Sequence, residues 1–328
     1  MTSSWRALRR RLLTPDVAET SLDKRGFHKK SPAAQERLET VGKTFLIGYA
    51  HAVEARTPAD AEAPIEQVTP DWLRGFAYEG AGMGLAMLDG LPFGRSDNVR
   101  TFLALPAGQR YQYLAYVGVG WAMARLPRWR WPKPESLDPV LAPLVLDGYG
   151  FHQAYFKTAR YVGERYQDPR FPWPGGPHGS YANRAIDQGI GRALWFIGGT
   201  DPDRVADLVE TYPEKRRADL YAGIGLAATY AGGVEVAELK TVWRRAGDHR
   251  GSLAQGAAFA ANARVRAGIV PPHADLATQV FCGTTVAAAA EAADELRPAG
   301  HVDGDVPAYE VWRQRLASEF ASPGGVHT

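Results

Sequence analysis

Apolar residues along the chain follow the spacing of helices rather than that of strands. Within residues 213–234 they fall on one helical face, formed by Leu220, Ile224, Ala227, Ala228 and Ala231. This segment ends at Gly232 and Gly233, a common signal for the end of a helix. Residues 201–213 precede it and open with Asp201 and Pro202, residue types that start helices. The two segments together predict an antiparallel helical hairpin.

Glycine recurs inside such apolar segments at nearly regular intervals. The recurrent glycines, separated by steps of 32, 38, 30, 41, 34 and 33 residues, are Gly48, Gly80, Gly118, Gly148, Gly189, Gly223 and Gly256. Such a step is typical of one helical hairpin in a repeat protein. The best strand candidate, residues 111–117, runs directly into a helical segment, so we interpret it as helix. The sequence therefore predicts a mainly α fold of stacked antiparallel helical hairpins, a repeat-like superhelix or a bundle, with a single core.

The chain shows no boundary strong enough to divide it, so we expect one helical domain over residues 1–328. Its 45% hydrophobic residues are enough for a large core. Residues 126–143 and 168–181 interrupt the helical pattern with Pro and Gly, and their aromatic residues favour ordered loops. Residues 284–328 form a C-terminal helical extension of this domain.

The first 30 residues form a basic N-terminal segment. They hold eight Lys or Arg against three Asp or Glu, a charge of +5, which leaves −3 on the rest of a chain of net charge +2. Trp5, Leu8 and Leu12 share one helical face and arginines surround it. Such a segment is usually a helix docked on its own domain. The alternative is a helix that lies on a membrane or on an acidic partner.

Composition excludes several classes of protein. A nearly neutral chain has no broad basic surface for nucleic acid, and no apolar run has the length of a membrane-spanning helix. The single cysteine, Cys282, excludes an intrachain disulfide and fits a reducing compartment. We therefore expect a cytoplasmic protein that binds no nucleic acid, with peripheral membrane contact as the alternative for the basic segment.

Known cofactor and metal motifs do not fit this chain. The glycine segments GVGWAMA and GYGFHQA resemble a dinucleotide fingerprint, but that motif requires a strand before it and occurs once rather than in every repeat. Close helix packing explains these glycines better. The histidines and carboxylates show no metal-ligand spacing, and phosphate-binding and nucleophile-elbow motifs are absent from the sequence. We therefore predict no metal and no cofactor.

Polar residues occur where the helical pattern calls for apolar ones, directly before the recurrent glycines. Four of these seven positions are polar, namely Glu79, Asp147, Gln188 and Gln255, and Asp187 adjoins one of them. If the glycine-bearing helices surround an interior, these groups project into it, where a carboxylate needs a partner or a raised pKa.

Two interpretations of these polar residues remain open. They can be structural groups that satisfy helix ends and one another. Alternatively, they line a pocket in which a carboxylate acts as acid or base and a histidine carries protons. For the second interpretation the candidate catalytic residues are Glu79, Asp147, His152, Asp187 and Arg192.

Aromatic residues concentrate in the central third of the chain, near the same polar positions. Rings beside a few polar groups suit a flat, unsaturated ligand, and they equally suit an ordinary large core. The candidate substrate-binding residues are Trp121, Tyr149, Gln188, Trp195 and Gln255.

Whole segments of the chain are similar to a known family. Among them are LLTPDVAETSLDKRGF, RLETVGKTFLIGYAHAVEAR, GFAYEGAGMG, VLDGYGFHQAYF, AIDQGIGRALWFIGG and YAGIGLAATYAGGV. From about Leu12 to Cys282 the chain resembles the UnbL-type proteins of bacterial enediyne biosynthesis, and its richness in Ala, Arg, Gly and Pro is typical of actinobacteria. That family is classed as a domain of unknown function, so it implies no catalytic residue.

The resemblance implies a place in the enediyne core cassette. There the chain would accompany a polyene-making polyketide synthase, a thioesterase and two accessory proteins, one of them a membrane protein. We expect an accessory protein that binds a linear conjugated polyene or polyketide intermediate and helps convert it toward the enediyne core, by acid/base chemistry or by substrate positioning. The alternative is a noncatalytic helical-repeat scaffold that assembles the synthase and membrane-associated partners.

Overall fold

Helices make up the regular structure of the computed structural model, which describes residues 3–92, 97–133, 136–173, 176–302 and 304–321. They are α1 (Ser3–Leu13), α2 (Leu22–Arg25), α3 (Pro32–Glu54), α4 (Glu62–Val68), α5 (Arg74–Asp89), α6 (Asn98–Leu103), α7 (Pro106–Arg110), α8 (Gln112–Met123), α9 (Pro143–Phe156), α10 (Ala182–Ile197), α11 (Pro202–Glu210), α12 (Glu214–Ala231), α13 (Val236–Ala246), α14 (Arg250–Ala267), α15 (Pro272–Phe281), α16 (Val286–Glu295) and α17 (Ala308–Ala321). Since the described residues include no strand, the prediction of a mainly α fold is confirmed.

The seven recurrent glycines lie in seven long helices, which we call the central helices: α3, α5, α8, α9, α10, α12 and α14. Each central helix packs against the next one along the chain. Shorter segments connect them, including α4, α11 and α13. The hairpins α11–α12 and α13–α14 match the predicted unit. Between α8 and α10 the connections are mainly irregular, and Trp131 of one stacks on Phe171 of the other with ring centroids 5.5 Å apart.

Two of the central helices, α3 and α5, run parallel to each other. A Cβ built on Gly80 of α5 would meet the carbonyl oxygen of Phe45 in α3, and one built on Gly84 would meet that of Tyr49. The contact points advance by four residues on both helices, which requires a parallel pair. A parallel pair needs a connection that returns from the end of one helix to the start of the next. We call the seven central helices the inner layer.

Glycine sets the distance between these helices. A Cβ on Gly148 would lie 1.9 Å from the carbonyl oxygen of Val117, and one on Gly189 would lie 1.9 Å from that of Asp147. In both cases the carbonyl belongs to the residue just before the recurrent glycine of the preceding helix. Gly150, two positions after Gly148, meets the carbonyl of Ile186 on the following helix in the same way. Since two residues turn a helix by about 200°, a Gly-x-Gly pair presents a glycine to each neighbour.

The last turn of α12 brings the two ends of the inner layer together. Its orphan carbonyls accept hydrogen bonds from three other central helices. Arg37 of α3 donates to Ala231 at 2.7 Å, Arg264 of α14 donates to Tyr230, and Trp195 of α10 donates to Gly232 at 3.1 Å. Cationic side chains here also suit the negative end of the helix dipole. The inner layer therefore curves around an interior.

The two ends of the chain pack on this layer. In α1, Arg9 donates to the carbonyls of Val53 at 2.5 Å and Ala55 at 2.8 Å, and Arg10 pairs with Glu54 at 2.6 Å. The basic segment is therefore docked on its own domain, at the C-terminal end of α3. Helices α16 and α17 pack against α14. None of the described helices has both the length and the apolar character needed to cross a bilayer.

We predict that Gly148→Ala destabilises the protein by about 3 kcal/mol, because the new methyl group would overlap a backbone carbonyl that cannot move independently of its helix. Gly163→Ala is the control, since a Cβ at Gly163 meets nothing within 4 Å. It should change the free energy of unfolding by less than about 1 kcal/mol. Urea titration of both variants checks this. Equal effects at the two positions would contradict the proposed packing.

Candidate ligand pocket

The inner layer surrounds a pocket of about 1340 Å³, its opening to solvent included. Side chains from all seven central helices and from α17 line it. Most of them are apolar and many are aromatic, including Phe45, Phe76, Trp121, Phe151, Phe196 and Tyr230. The polar lining is sparse. A concave, mostly apolar pocket with few polar groups is typical of a small-molecule site.

The positions of the pocket-lining residues follow from the positions of the recurrent glycines. The two glycines of a Gly-x-Gly pair lie against the neighbouring helices. The residue before the first glycine and the third residue after that glycine then lie together on the face of the helix that points inward. The third residue after the recurrent glycine lines the pocket in six of the central helices: Met83, Trp121, Phe151, Arg192, Leu226 and Phe259. Sequence reasoning singled out two of these six. The third-residue position is the signal that could have identified the others.

A buried ionic group lies against the pocket, formed by Glu79 of α5, Asp147 of α9 and Arg192 of α10. Arg192 donates to Glu79 over 3.2 Å, and its other terminal nitrogen lies 3.1 Å from Oδ1 of Asp147. Glu79 also accepts from the indole nitrogen of Trp121 at 3.0 Å. The Arg192 guanidinium lies 5.0 Å from the centre of the Phe151 ring. Four of the predicted residues therefore meet at one point.

Asp147 is held in place by a hydrogen bond from Gln188, which does not line the pocket itself. The Gln188 amide nitrogen donates to Oδ2 of Asp147 at 2.7 Å and to the Tyr309 hydroxyl at 2.8 Å. Tyr309 comes from α17, so the C-terminal extension helps to form the site. Asp147 and Gln188 therefore position Arg192, whereas Glu79 and Arg192 line the pocket.

The charges of this group do not balance. Burial raises the pKa of Glu79, and Arg192 only partly opposes this shift. The pKa of Asp147 is raised for the same reason. Burial by itself would lower the pKa of Arg192, but the two carboxylates together raise it. One guanidinium thus faces two carboxyl groups, an arrangement that favours a proton on one of them. A carboxyl with a raised pKa can donate a proton near neutral pH.

A second ionic group in the described part of the chain is balanced. Arg184 and Arg313 face Asp219 and Glu310, with distances of 2.8 to 3.1 Å between their charged atoms. These groups join α10, α12 and α17. Two cations against two anions form a structural network, whereas the group around Arg192 holds two carboxyl groups against one cation.

His152 lies farther along the pocket, with its ring centroid 5.6 Å from that of Trp121. Burial lowers the pKa of His152 to about 3, and the positive charges of Arg125 and Lys157 add to the effect. Its Nδ1 has no hydrogen-bond partner among the described residues. The ring is therefore neutral at neutral pH, which suits hydrogen bonding to a ligand better than carrying protons.

Asp187 and Tyr149 face away from the central pocket. Asp187 accepts two hydrogen bonds from Arg216, at 2.6 and 2.8 Å. Tyr149 accepts from Gln153 at 2.7 Å. Both residues border a second, polar cavity outside the inner layer. The register explains this position, because Tyr149 lies between the two glycines of its pair and so points opposite to the inward face.

Trp195 and Gln255 are buried and hold helices together. Trp195 donates to the end of α12, and Gln255 accepts from Arg313 of α17 at 3.1 Å. Neither lines the central pocket. For these two residues and for Asp187, the contacts match the structural interpretation.

We predict that Arg192→Met destabilises the protein by about 3 to 5 kcal/mol, because it leaves two buried carboxylates without a cation. The matched variant Glu79→Gln keeps one cation against one anion and should cost less than about 1 kcal/mol. Denaturant titration near neutral pH compares the two. A loss for Glu79→Gln as large as that for Arg192→Met would contradict the charge imbalance.

A second prediction concerns pH. The unfolded chain protonates His152 near its usual pKa of 6.5, whereas the folded protein does so only near about 3. Stability from the neutral ring is therefore complete above pH 6.5 and is lost progressively as the pH falls from 6.5 to about 3. At about pH 4 the loss for this residue approaches about 3 kcal/mol. Unfolding measured at neutral and acidic pH should differ less in His152→Gln than in the wild type; an unchanged difference would contradict this.

The described residues include no group of three or more His, Cys, Asp or Glu that could hold a metal ion. Comparisons with curated proteins and with solved structures find no match. The sequence model of a family described as a protein of unknown function (DUF1702) matches residues 4–320, a range that includes every central helix. The chain therefore belongs to the DUF1702 family.

Proposed function

We propose that this protein binds a long, conjugated, mostly apolar molecule in the central pocket and helps to convert it. The observation that carries the proposal is a pocket lined by aromatic rings, with an ionic group of one guanidinium and two carboxyl groups at its wall. A concave, mostly apolar site with a few polar groups is the usual form of a small-molecule pocket. Flat rings favour stacked and edge-on contacts with another π system.

The resemblance to UnbL-type proteins suggests the ligand. We propose a linear conjugated polyene, or its polyketide precursor, on the way to an enediyne core. The partners would be the other proteins of the core cassette, including its membrane protein, in the cytoplasm of the producing cell. The pocket supports this proposal because a polyene needs an apolar, ring-lined enclosure along most of its length and few hydrogen bonds.

The ionic group suggests the protein's part in the conversion. Glu79 reaches the pocket and has a raised pKa, so its carboxyl group can give a proton to, or take one from, a ligand carbon or oxygen held beside it. Arg192 lies next to it and can stabilise negative charge that develops on the ligand. Asp147 and Gln188 keep Arg192 in place. This chemistry needs no cofactor, and a partner protein would supply any oxidation.

Protein purified from its native producer tests the proposal, through its absorption spectrum and the mass of any bound molecule. A bound polyene is the expected result. Leu46→Trp should reduce copurification, because Leu46 lines the pocket and the larger ring would take up part of its space. Ile47→Trp is the matched control, since Ile47 is half-buried on the same helix but does not line the pocket.

A conjugated tetraene fatty acid provides the same test in vitro. We expect fluorescence titration to give a dissociation constant about tenfold or more higher for Leu46→Trp than for Ile47→Trp. A colourless native protein that copurifies with its partners, and that does not bind the tetraene, would contradict the proposal and favour the scaffold.

A further inference from the structure

Helix α1 exposes the face that an amphipathic helix normally buries. Trp5, Leu8 and Leu12 share this face, and they are 52%, 43% and 71% exposed. Val17, in the segment after the helix, is also 56% exposed. We call Trp5, Leu8 and Leu12 the apolar face of α1. Neighbouring large apolar residues are seldom left exposed on a soluble surface unless something covers them.

The way α1 is attached explains why this face is free. Contacts through Arg9 and Arg10 hold the helix on the end of α3, so its polar side faces the protein. Docking by arginines thus turns the apolar residues outward. The attachment of α1 to α3 and the exposure of its apolar residues both follow from the orientation of α1.

Charge indicates what covers the apolar face. Helix α1 contains no acidic residue, and Arg11 is exposed beside the apolar residues. A second copy of this helix would bring like charges together, which disfavours self-association through this face. An apolar face with an exposed arginine beside it, on a helix without acidic residues, suits the interface of a bilayer with anionic lipids instead.

The position of α1 connects this face with the pocket. Pro15 and Glu19, in the segment directly after α1, line the central pocket. Arg25 pairs with Glu19, and its guanidinium lies 4.5 Å from the centre of the Phe156 ring, which also lines the pocket. The apolar face is therefore close in the chain to one wall of the pocket.

We propose that α1 binds the surface of a bilayer containing anionic lipids, with its apolar face buried at the lipid interface. Docking there brings a wall of the pocket near the membrane, so an apolar ligand can pass between lipid and pocket without crossing much water. This inference goes beyond the proposed function, because binding to lipid requires neither a particular ligand nor any reaction.

Vesicle flotation of the full-length protein tests the inference. We expect the wild type to float with vesicles of mixed phosphatidylglycerol and phosphatidylcholine, and much less with phosphatidylcholine alone. Added salt should weaken binding to the mixed vesicles several-fold, because it screens the attraction between arginines and anionic headgroups. The double variant Trp5→Ala, Leu12→Ala should partition about tenfold or more weakly.

Two controls make the outcome decisive. Both substituted residues are exposed, so urea titration should show an unchanged free energy of unfolding for the double variant. Trp129→Ala removes another exposed tryptophan, 74% exposed and far from α1 in the chain, and should leave flotation unchanged. The inference is overturned if the wild type does not bind the mixed vesicles, or if the double variant binds them as tightly. It is also overturned if Trp129→Ala has the larger effect, or if light scattering shows a wild-type dimer that the double variant dissociates.

Discussion

The contact between a glycine of one central helix and a backbone carbonyl of its neighbour controls the rest of the structure. At this contact no side chain separates the two backbones, since even a methyl group would overlap the carbonyl oxygen. Close approach allows weak Cα–H···O interactions and extensive packing along the helices. Because a Gly-x-Gly pair contacts both neighbours, it also fixes the rotation of each helix about its axis. The inward face, and with it the pocket lining, follows from that rotation.

Within this frame, the polar residues of the interior divide by their charge balance. Groups with equal numbers of cations and anions, such as Asp187 with Arg216, join helices and leave little net charge. Around Arg192 two carboxyl groups share one guanidinium, and burial raises the pKa of both. A buried group of this kind is costly for stability unless a proton or a ligand compensates it. That cost is the physical reason why the proposed function is placed at Glu79 rather than at the balanced pairs.

The basic N-terminal segment contacts its own domain on one side and presents apolar residues to solvent on the other. Its arginines cap the carbonyl end of α3, where cations interact favourably with the helix dipole. Once they point inward, the opposite side of the helix must carry Trp5, Leu8 and Leu12 into solvent. The two alternatives for this segment, docking on its own domain and contact with a membrane, are therefore compatible in one orientation.

The sequence by itself determined the helical fold, the repeat length and the inward position of Glu79, because helical periodicity and glycine spacing are local properties. It did not determine which of these groups meet, since Arg192 and Glu79 are 113 residues apart and pair only when the inner layer closes. Their proximity to recurrent glycines predicts that Tyr149 and Asp187 line the pocket. The rotation of their helices about the helix axis instead places both side chains on the outer side. Only the tertiary structure decided the charge partners, the pocket and the exposed face of α1, because each depends on contacts between helices distant in the chain.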